Sequence, residues 1–173
     1  MEVKIHKEAG YEEALFGLSL NKNQPLEKMP DIMARLASMD GGHNKMLESI
    51  IVWVEVNAPR YWWTQADTYR ISTKQSQSTM HTILKRPLTK NDFAERQVSW
   101  LTLLRLNGHI KAKRFDQLKR ELPEGFMQKR MWCVSYKTLR NIYKQRKNHK
   151  LKEWRLFLDQ LLAQLEHPEF LIK

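Results

Sequence analysis

The sequence predicts an α+β fold (α/β in the wider sense), with a small central sheet packed by several helices. Segments with apolar residues at helical spacing dominate the 173-residue chain. Only a few short runs have strand character, the clearest being the β-branched Ile50–Val56, IIVWVEV. No internal repeat or low-complexity linker divides the chain. Residues 1–173 are therefore expected to form a single domain, long enough for a real core.

The elements follow in order. MEVKI alternates as an opening strand, with Val3 and Ile5 on one face, and Gly10 ends it. Tyr11–Leu20 reads as a helix with Glu12 and Glu13 at its positive end. After a loop at Asn21–Pro25 comes a helix over Pro30–Met39, its stripe being Ile32, Met33, Leu36 and Met39. Asp40-Gly41-Gly42 is expected to break it. A short helical segment, HNKMLES, leads into the Ile50–Val56 strand, and Asn57-Ala58-Pro59 reads as a turn. Pro59–Tyr69 then reads as a helix, and Ser72–His81, rich in Ser, Thr and Gln, as a long polar loop.

Asn91–Leu106 is a predicted amphipathic helix with the stripe Phe93, Val98, Leu101, Leu104 and Leu106, stopped by Asn107-Gly108. Lys111–Leu122 is a basic helical segment closed by Pro123-Glu124-Gly125. Gln128–Tyr136 alternates as a strand. Two helices, Lys137–Arg146 and Lys150–Leu165, close the chain; the last buries Trp154, Phe157, Leu158, Leu161, Leu162 and Leu165.

A net charge of +11 favours anionic partners: nucleotides, nucleic acid, acidic proteins or membrane surfaces. The basic segments Lys111–Arg120 and Lys137–Lys152 are either solvated helix faces or a phosphate-backbone surface. A single cysteine, Cys133, excludes an internal disulfide and a cysteine-built zinc site; in its apolar strand it reads as inert core. His81, His109, His149 and His167 show no metal-ligand spacing, so no metal is expected. The N-terminus lacks an apolar signal core, and Ile50–Val56 is too short to cross a membrane. A cytoplasmic protein without a membrane partner is expected.

The stretch Asp40–His81 mixes apolar scaffold and polar side chains most tightly. His43 is either a helix-start histidine or a ligand-facing one. Trp62-Trp63 are either core or a stacking surface, and Tyr69 offers another flat ring. Arg70 lies between an aromatic helix and a polar loop, a setting for a ligand contact as much as for a surface arginine. Gln75–Thr79 reads as a solvated loop or part of a site, and Ser78 has no neighbouring base in sequence that would make it a nucleophile.

These residues resemble the flavin-dependent thymidylate synthases, the ThyX family. His43 is followed five residues later by Glu48, just before the strand, and a strand–turn–Arg–helix passage reaches Arg60. The family signature is Arg-His-Arg-x-x-Ser, with a Gln three residues before it and a Ser eight residues after its last Arg. Gln65, Arg70 and Ser78 stand at those offsets, and Thr73 replaces the signature Ser. Lys119 precedes Leu122-Pro123, and Ser135, Lys137, Asn141 and Arg146 fall on the spacing of a later Asn-x-Arg-Ser-Leu-x-Asn-x-x-x-x-Arg run. Glu153 and Arg155 match a closing Glu-Ile-Arg helix.

The resemblance implies a homotetramer with FAD and dUMP at subunit interfaces. It implies transfer of a one-carbon unit from methylenetetrahydrofolate to C5 of the pyrimidine nucleotide, with reduced flavin as hydride donor. Gln65, Ser78, Lys119 and Arg146 would then face the nucleotide. His43, Glu48, Arg70, Lys137 and Asn141 would lie near flavin or folate, and Arg70 and Arg146 would be the catalytic arginines.

The chain departs from the pattern at Thr68, Tyr69, Met80, Ser135 and Lys137. Two lost arginine contacts, each worth roughly 1.5–3 kcal/mol, amount to several orders of magnitude in affinity. Two outcomes suit these replacements. One is changed substrate or one-carbon chemistry, as in nucleotide modification by a virus. The other is a non-catalytic scaffold, a viral accessory or inhibitor protein binding nucleic acid or another protein.

Overall fold

The computed structural model describes residues 1–39 and 41–172; Asp40, expected to help break the second helix, lies outside the described residues. Strands β1 (Glu2–Ala9), β2 (Ile51–Pro59), β3 (Ser72–Ser76) and β4 (Met127–Ser135) form an antiparallel sheet in the order β1-β2-β4-β3. Helices surround it: α1 (Tyr11–Lys22), α2 (Met29–Ala37), α3 (Arg60–Ala66), α4 (Thr79–Thr82), α5 (Trp100–Lys111), α6 (Phe115–Glu121), α7 (Tyr136–Arg146), α8 (Lys152–Leu162) and α9 (Glu169–Ile172). The α+β architecture read from the sequence is thus observed.

Period-2 alternation puts Val52, Val54, Val56 and Ala58 on the buried face of β2, in register with Val134, Trp132, Arg130 and Gln128 of β4. Helices α3 and α8 bring Trp62, Trp63, Trp154 and Phe157 onto that face. Trp62 lies 4.7 Å from Trp154, 4.9 Å from Trp63 and 5.2 Å from Phe157, centroid to centroid. Trp62 and Trp63 are therefore core, and the stacking role is ruled out for both. Each large apolar side chain buried this way contributes roughly 1.5–3 kcal/mol. A second cluster, Ile83, Leu88, Phe93, Leu106, Ile110, Leu118 and Leu122, lies under α5 and α6.

Gly10 joins β1 to α1 at φ 95°, and a Cβ there would stand 2.1 Å from the Ser49 carbonyl oxygen. Only glycine meets both demands.

Several elements differ from expectation. Residues 57–59 continue β2 instead of turning: Asn57, Ala58 and Pro59 pair with Lys129, Gln128 and Met127. Proline is tolerated there because it ends the strand and precedes α3. Helix α3 stops at Ala66, where the Thr68 hydroxyl donates to the Gln65 carbonyl and competes with the helix ladder.

The expected loop at 72–81 contains β3 and α4. Its polar composition is that of an edge strand exposed to water. The expected helix over 91–106 begins only at Trp100, where the Ser99 hydroxyl accepts from the Thr102 amide. Upstream, Glu95 and Arg96 adopt positive φ, which interrupts helix. Gly108 does not stop α5, which runs on to Lys111. The buried stripe of α2 is Met29, Met33 and Ala37, and Met39 is exposed. Cys133 is half-buried on the open sheet face, opposite Trp53 and Thr73, not in the core. Helix α9, unforeseen, buries Phe170 and Leu171.

Candidate functional site

Four of the five residues assigned to flavin or folate, His43, Glu48, Lys137 and Asn141, lie around the 42–49 turn and the start of α7. Strand β4 runs directly into α7, and the Ser135 hydroxyl caps it by accepting from the Thr138 amide at 3.2 Å. Lys137 and Asn141, four residues apart, share one helix face. They line a cleft of about 260 Å³ with Glu48, Asn44, Thr138 and Ile71. Arg70 is exposed next to Ile71 in the chain, and its guanidinium has no partner among the described residues. His43 lies on the other side of the turn and lines a second cleft of about 490 Å³ between α1 and the 42–49 segment, with Leu36 of α2 at its edge, which Glu48 also borders.

Two details here escaped the sequence. Asn44 is fully buried, donates to the Ala37 carbonyl at 3.3 Å and accepts from the Lys137 ammonium. It thus aims Lys137 across the cleft mouth. Arg140, also buried, donates to the carbonyls of Phe170 (2.9 Å) and Ser38 (3.2 Å), locking α7 to the ends of α2 and α9. Its position one residue before Asn141 was the signal available, but burial of an arginine is not legible from spacing.

The four residues assigned to the nucleotide form two groups instead of one. At the C-terminal end of α3, Gln65 accepts from Trp154 Nε1 at 2.9 Å. Arg146 Nε donates to the Tyr69 hydroxyl at 2.9 Å, and its guanidinium lies 5.0 Å from the Trp154 ring centroid. Tyr69 donates in turn to Gln145 at 2.9 Å. The space between Gln65 and Arg146 is therefore taken by Tyr69 and Trp154, the former standing where the signature has histidine. Tyr69 is buried, which corrects its reading as an open ring surface.

At the N-terminal end of α3, Lys119 of α6 donates to the Thr79 hydroxyl at 2.6 Å. Ser78 itself precedes α4 and accepts through its carbonyl from Thr82. Burial first, and the Arg60 charge second, hold the Lys119 ammonium below the usual lysine pKa. An anion beside it would relieve both. Arg60 donates to the Leu122 carbonyl at 3.0 Å and pairs with Glu124. Thr79, one residue past the predicted serine, is the hydroxyl that the structure places on the lysine.

Glu153, at the matched closing helix, is buried and accepts from the Tyr61 hydroxyl. Burial and that carboxylate push the Tyr61 phenol well above its ordinary pKa. This pair is structural: it ties α3 to α8. Among the described residues, no group of three or more histidine, cysteine or carboxylate side chains could hold a metal ion, and no helix is long and apolar enough to cross a membrane.

No family model matches the chain, and no curated protein matches it. Solved structures do. A crystal structure of flavin-dependent thymidylate synthase ThyX from Helicobacter pylori, complexed with FAD and dUMP, superposes at a TM-score of 0.86. The match covers 100% of this chain and 98% of that one at 18% sequence identity. A second structure of Helicobacter pylori ThyX with FAD and dUMP, at 2.31 Å, gives the same values. The chain has the ThyX fold. The resemblance seen in His43, Glu48, Gln65, Arg70 and Ser78 is thus matched by the path of the whole backbone.

Proposed function

We propose that residues 1–173 act as one ThyX-like domain that binds a flavin, FAD, and a pyrimidine nucleotide of the dUMP type. The single observation that carries this reading is the cleft built by Glu48, Asn44, Ile71, Lys137, Thr138 and Asn141, Ile71 being next in the chain to Arg70. Ammonium, amide and hydroxyl donors facing one opening suit a polar, anionic cofactor edge. The fit is partial. A cleft of about 260 Å³ is smaller than the roughly 300–1,000 Å³ that encloses a drug-sized ligand. The rest of a dinucleotide would lie along the neighbouring His43 cleft or against another copy of the chain.

In this reading reduced flavin supplies the hydride, and methylenetetrahydrofolate the one-carbon unit for C5. The protein's own residues bind and orient. Lys137 and Arg70 supply positive charge to the cofactor, and Asn141 and Thr138 fix its orientation. Glu48 and His43 border the neighbouring cleft, which would take the rest of the flavin dinucleotide or the folate. Lys119 and Thr79, with Ser78 adjacent, would hold the nucleotide phosphate. Gln65 and Arg146 would reach the nucleotide only by leaving Trp154 and Tyr69, as catalysis through Arg146 also requires. Two groups at opposite ends of α3 make one site most readily when neighbouring copies bring them together, in keeping with the homotetramer that the resemblance implies. Titration with FAD, followed by flavin absorbance and fluorescence, tests the reading.

One observation favours a second reading. Gln65 and Arg146 are already engaged with Trp154 and Tyr69. A scaffold that has closed its nucleotide position would use its +11 charge for nucleic acid or an acidic protein. Binding to single- or double-stranded DNA that weakens steeply with salt, together with no FAD binding, would select it.

A further inference from the structure

Two clefts meet at the α1–α2 hairpin. The first, beside His43, has as its α1 wall Glu13, Ala14, Gly17, Leu18, Asn21 and Lys22, one face of the helix from end to end. The second, about 470 Å³, runs over Ile32, Leu36 and Met39 with Arg35 beside them. Lys22 and Leu36 line both, so the two clefts form one trough. Each is within the roughly 300–1,000 Å³ of small-molecule sites. Nine residues of helix separate Glu13 from Lys22, about 13–14 Å of rise.

The trough is polarised. Glu13 borders it near the start of α1, and Glu48 lies at the same end, beside the Ser49 carbonyl that crowds Gly10. The middle has an apolar floor of Ala14, Leu18 and Met46. Gly17 keeps that floor open: nothing lies within 4 Å of where its Cβ would stand. Past the floor come Lys22 and Arg35, both exposed and without a side-chain partner among the described residues. Carboxylates accept from ring N–H and amino donors, and ammonium and guanidinium groups donate to carboxylates. We propose that the trough takes an elongated ligand, its N–H-bearing planar head toward Glu13 and Glu48 and a carboxylate tail toward Lys22 and Arg35. These two cations then select for the number of carboxylates on the tail.

The inference rests on the ligand reading above and deepens it: the occupant is the folate, and Lys22 and Arg35 make the site prefer its polyglutamyl form. The remainder of a flavin dinucleotide suits the trough less well. Its charge sits in the pyrophosphate at mid-length and its far end is a neutral adenine, whereas the trough is apolar at mid-length and cationic beyond. Lys45, on the 42–49 wall, adds a third cation to the first cleft. Single exposed ion pairs are weak, but a tail with several carboxylates engages Lys22 and Arg35 together. Such a preference fades as salt screens it.

The test is calorimetric titration of the full chain with a monoglutamyl and a pentaglutamyl folate, with and without saturating FAD and dUMP, at low and high salt. The wild type is expected to bind the pentaglutamyl form about tenfold more tightly at low salt. The double variant Lys22→Gln/Arg35→Gln is expected to bind both forms equally, at the wild-type monoglutamyl affinity. Gly17→Leu is expected to weaken both forms at least about tenfold; it places a better helix former in open space, so a folding defect does not explain the loss. Equal binding of the two forms by the wild type overturns the proposal. So does a preference that survives in the double variant, a Gly17→Leu that binds like the wild type, or a chain that binds neither form. FAD titrated alone separates the two readings. A tail preference without FAD binding removes the flavin reading and keeps the trough; FAD binding without a tail preference removes only the trough.

Discussion

Arg146 donates its Nε to the hydroxyl of Tyr69 at 2.9 Å while its guanidinium lies 5.0 Å from the Trp154 ring centroid. The arginine that the resemblance assigns to the nucleotide is thus held by the residue that replaced the signature histidine. Tyr69→Phe removes the acceptor and the bond to Gln145. We expect a loss of about 1–2 kcal/mol in denaturant unfolding, since water at the half-buried guanidinium compensates in part. The same variant frees Arg146, so affinity for dUMP should rise or stay level; a fall in affinity would mean that Tyr69 itself belongs to the ligand site.

Gly10 meets the Ser49 carbonyl at the β1–α1 corner. Gly10→Ala combines a disfavoured positive φ with a collision against backbone, so it should cost about 2 kcal/mol or more. Thermal or urea unfolding reads this directly, and an unchanged midpoint would contradict the geometry.

Arg86 pairs with Asp92, whose carboxylate also accepts from the Thr89 amide. Burial alone would raise the Asp92 pKa, but the Arg86 and Thr89 hydrogen bonds outweigh it and hold the group below the usual carboxylate value. A carboxyl depressed in the folded state stabilises above its unfolded pKa, and that contribution is lost as pH falls through the folded one. The pair should therefore support stability fully above about pH 4 and lose its effect below. Asp92→Asn should flatten the acid limb of a stability–pH curve and leave its alkaline side unchanged in shape.

Arg70 and Lys119 test the two ligand groups separately. Arg70→Ala removes an exposed guanidinium with no partner among the described residues, so stability should stay within about 0.5 kcal/mol. FAD affinity should fall about 10–100-fold, as for one charge-assisted contact. Lys119→Met should leave FAD binding intact and weaken dUMP by a similar factor, with the difference shrinking at high salt. If both variants weaken the same ligand equally, the two groups form one site within a single copy.

The sequence was legible where spacing determines geometry. Lys137 and Asn141 share a cleft because four residues on a helix bring side chains to one face. The strand around Trp53 and the closing helix around Trp154 were equally readable from period. Illegible features depended on tertiary neighbours. Polar Ser72–Ser76 pairs as an edge strand because β4 offers it a partner, which composition hides. Tyr69 reads as an available ring until Gln145 and Arg146 are seen to hold it. Leu101 and Leu104 fit a helical stripe, but the helix begins at Trp100 and turns that stripe outward. The Thr79 contact to Lys119 falls one residue beyond the expected serine, within the uncertainty of any loop register.

The Glu48–Lys137–Asn141 cleft is proposed to hold a flavin. Titrating the purified chain with FAD, by calorimetry and by the change in flavin absorbance, tests it most directly, with Asn141→Leu as the control inside the cleft. Saturable binding is expected, weakened at least about tenfold by the control. A wild type that leaves the flavin spectrum unchanged and releases no heat with FAD, alone or with dUMP present, would contradict it.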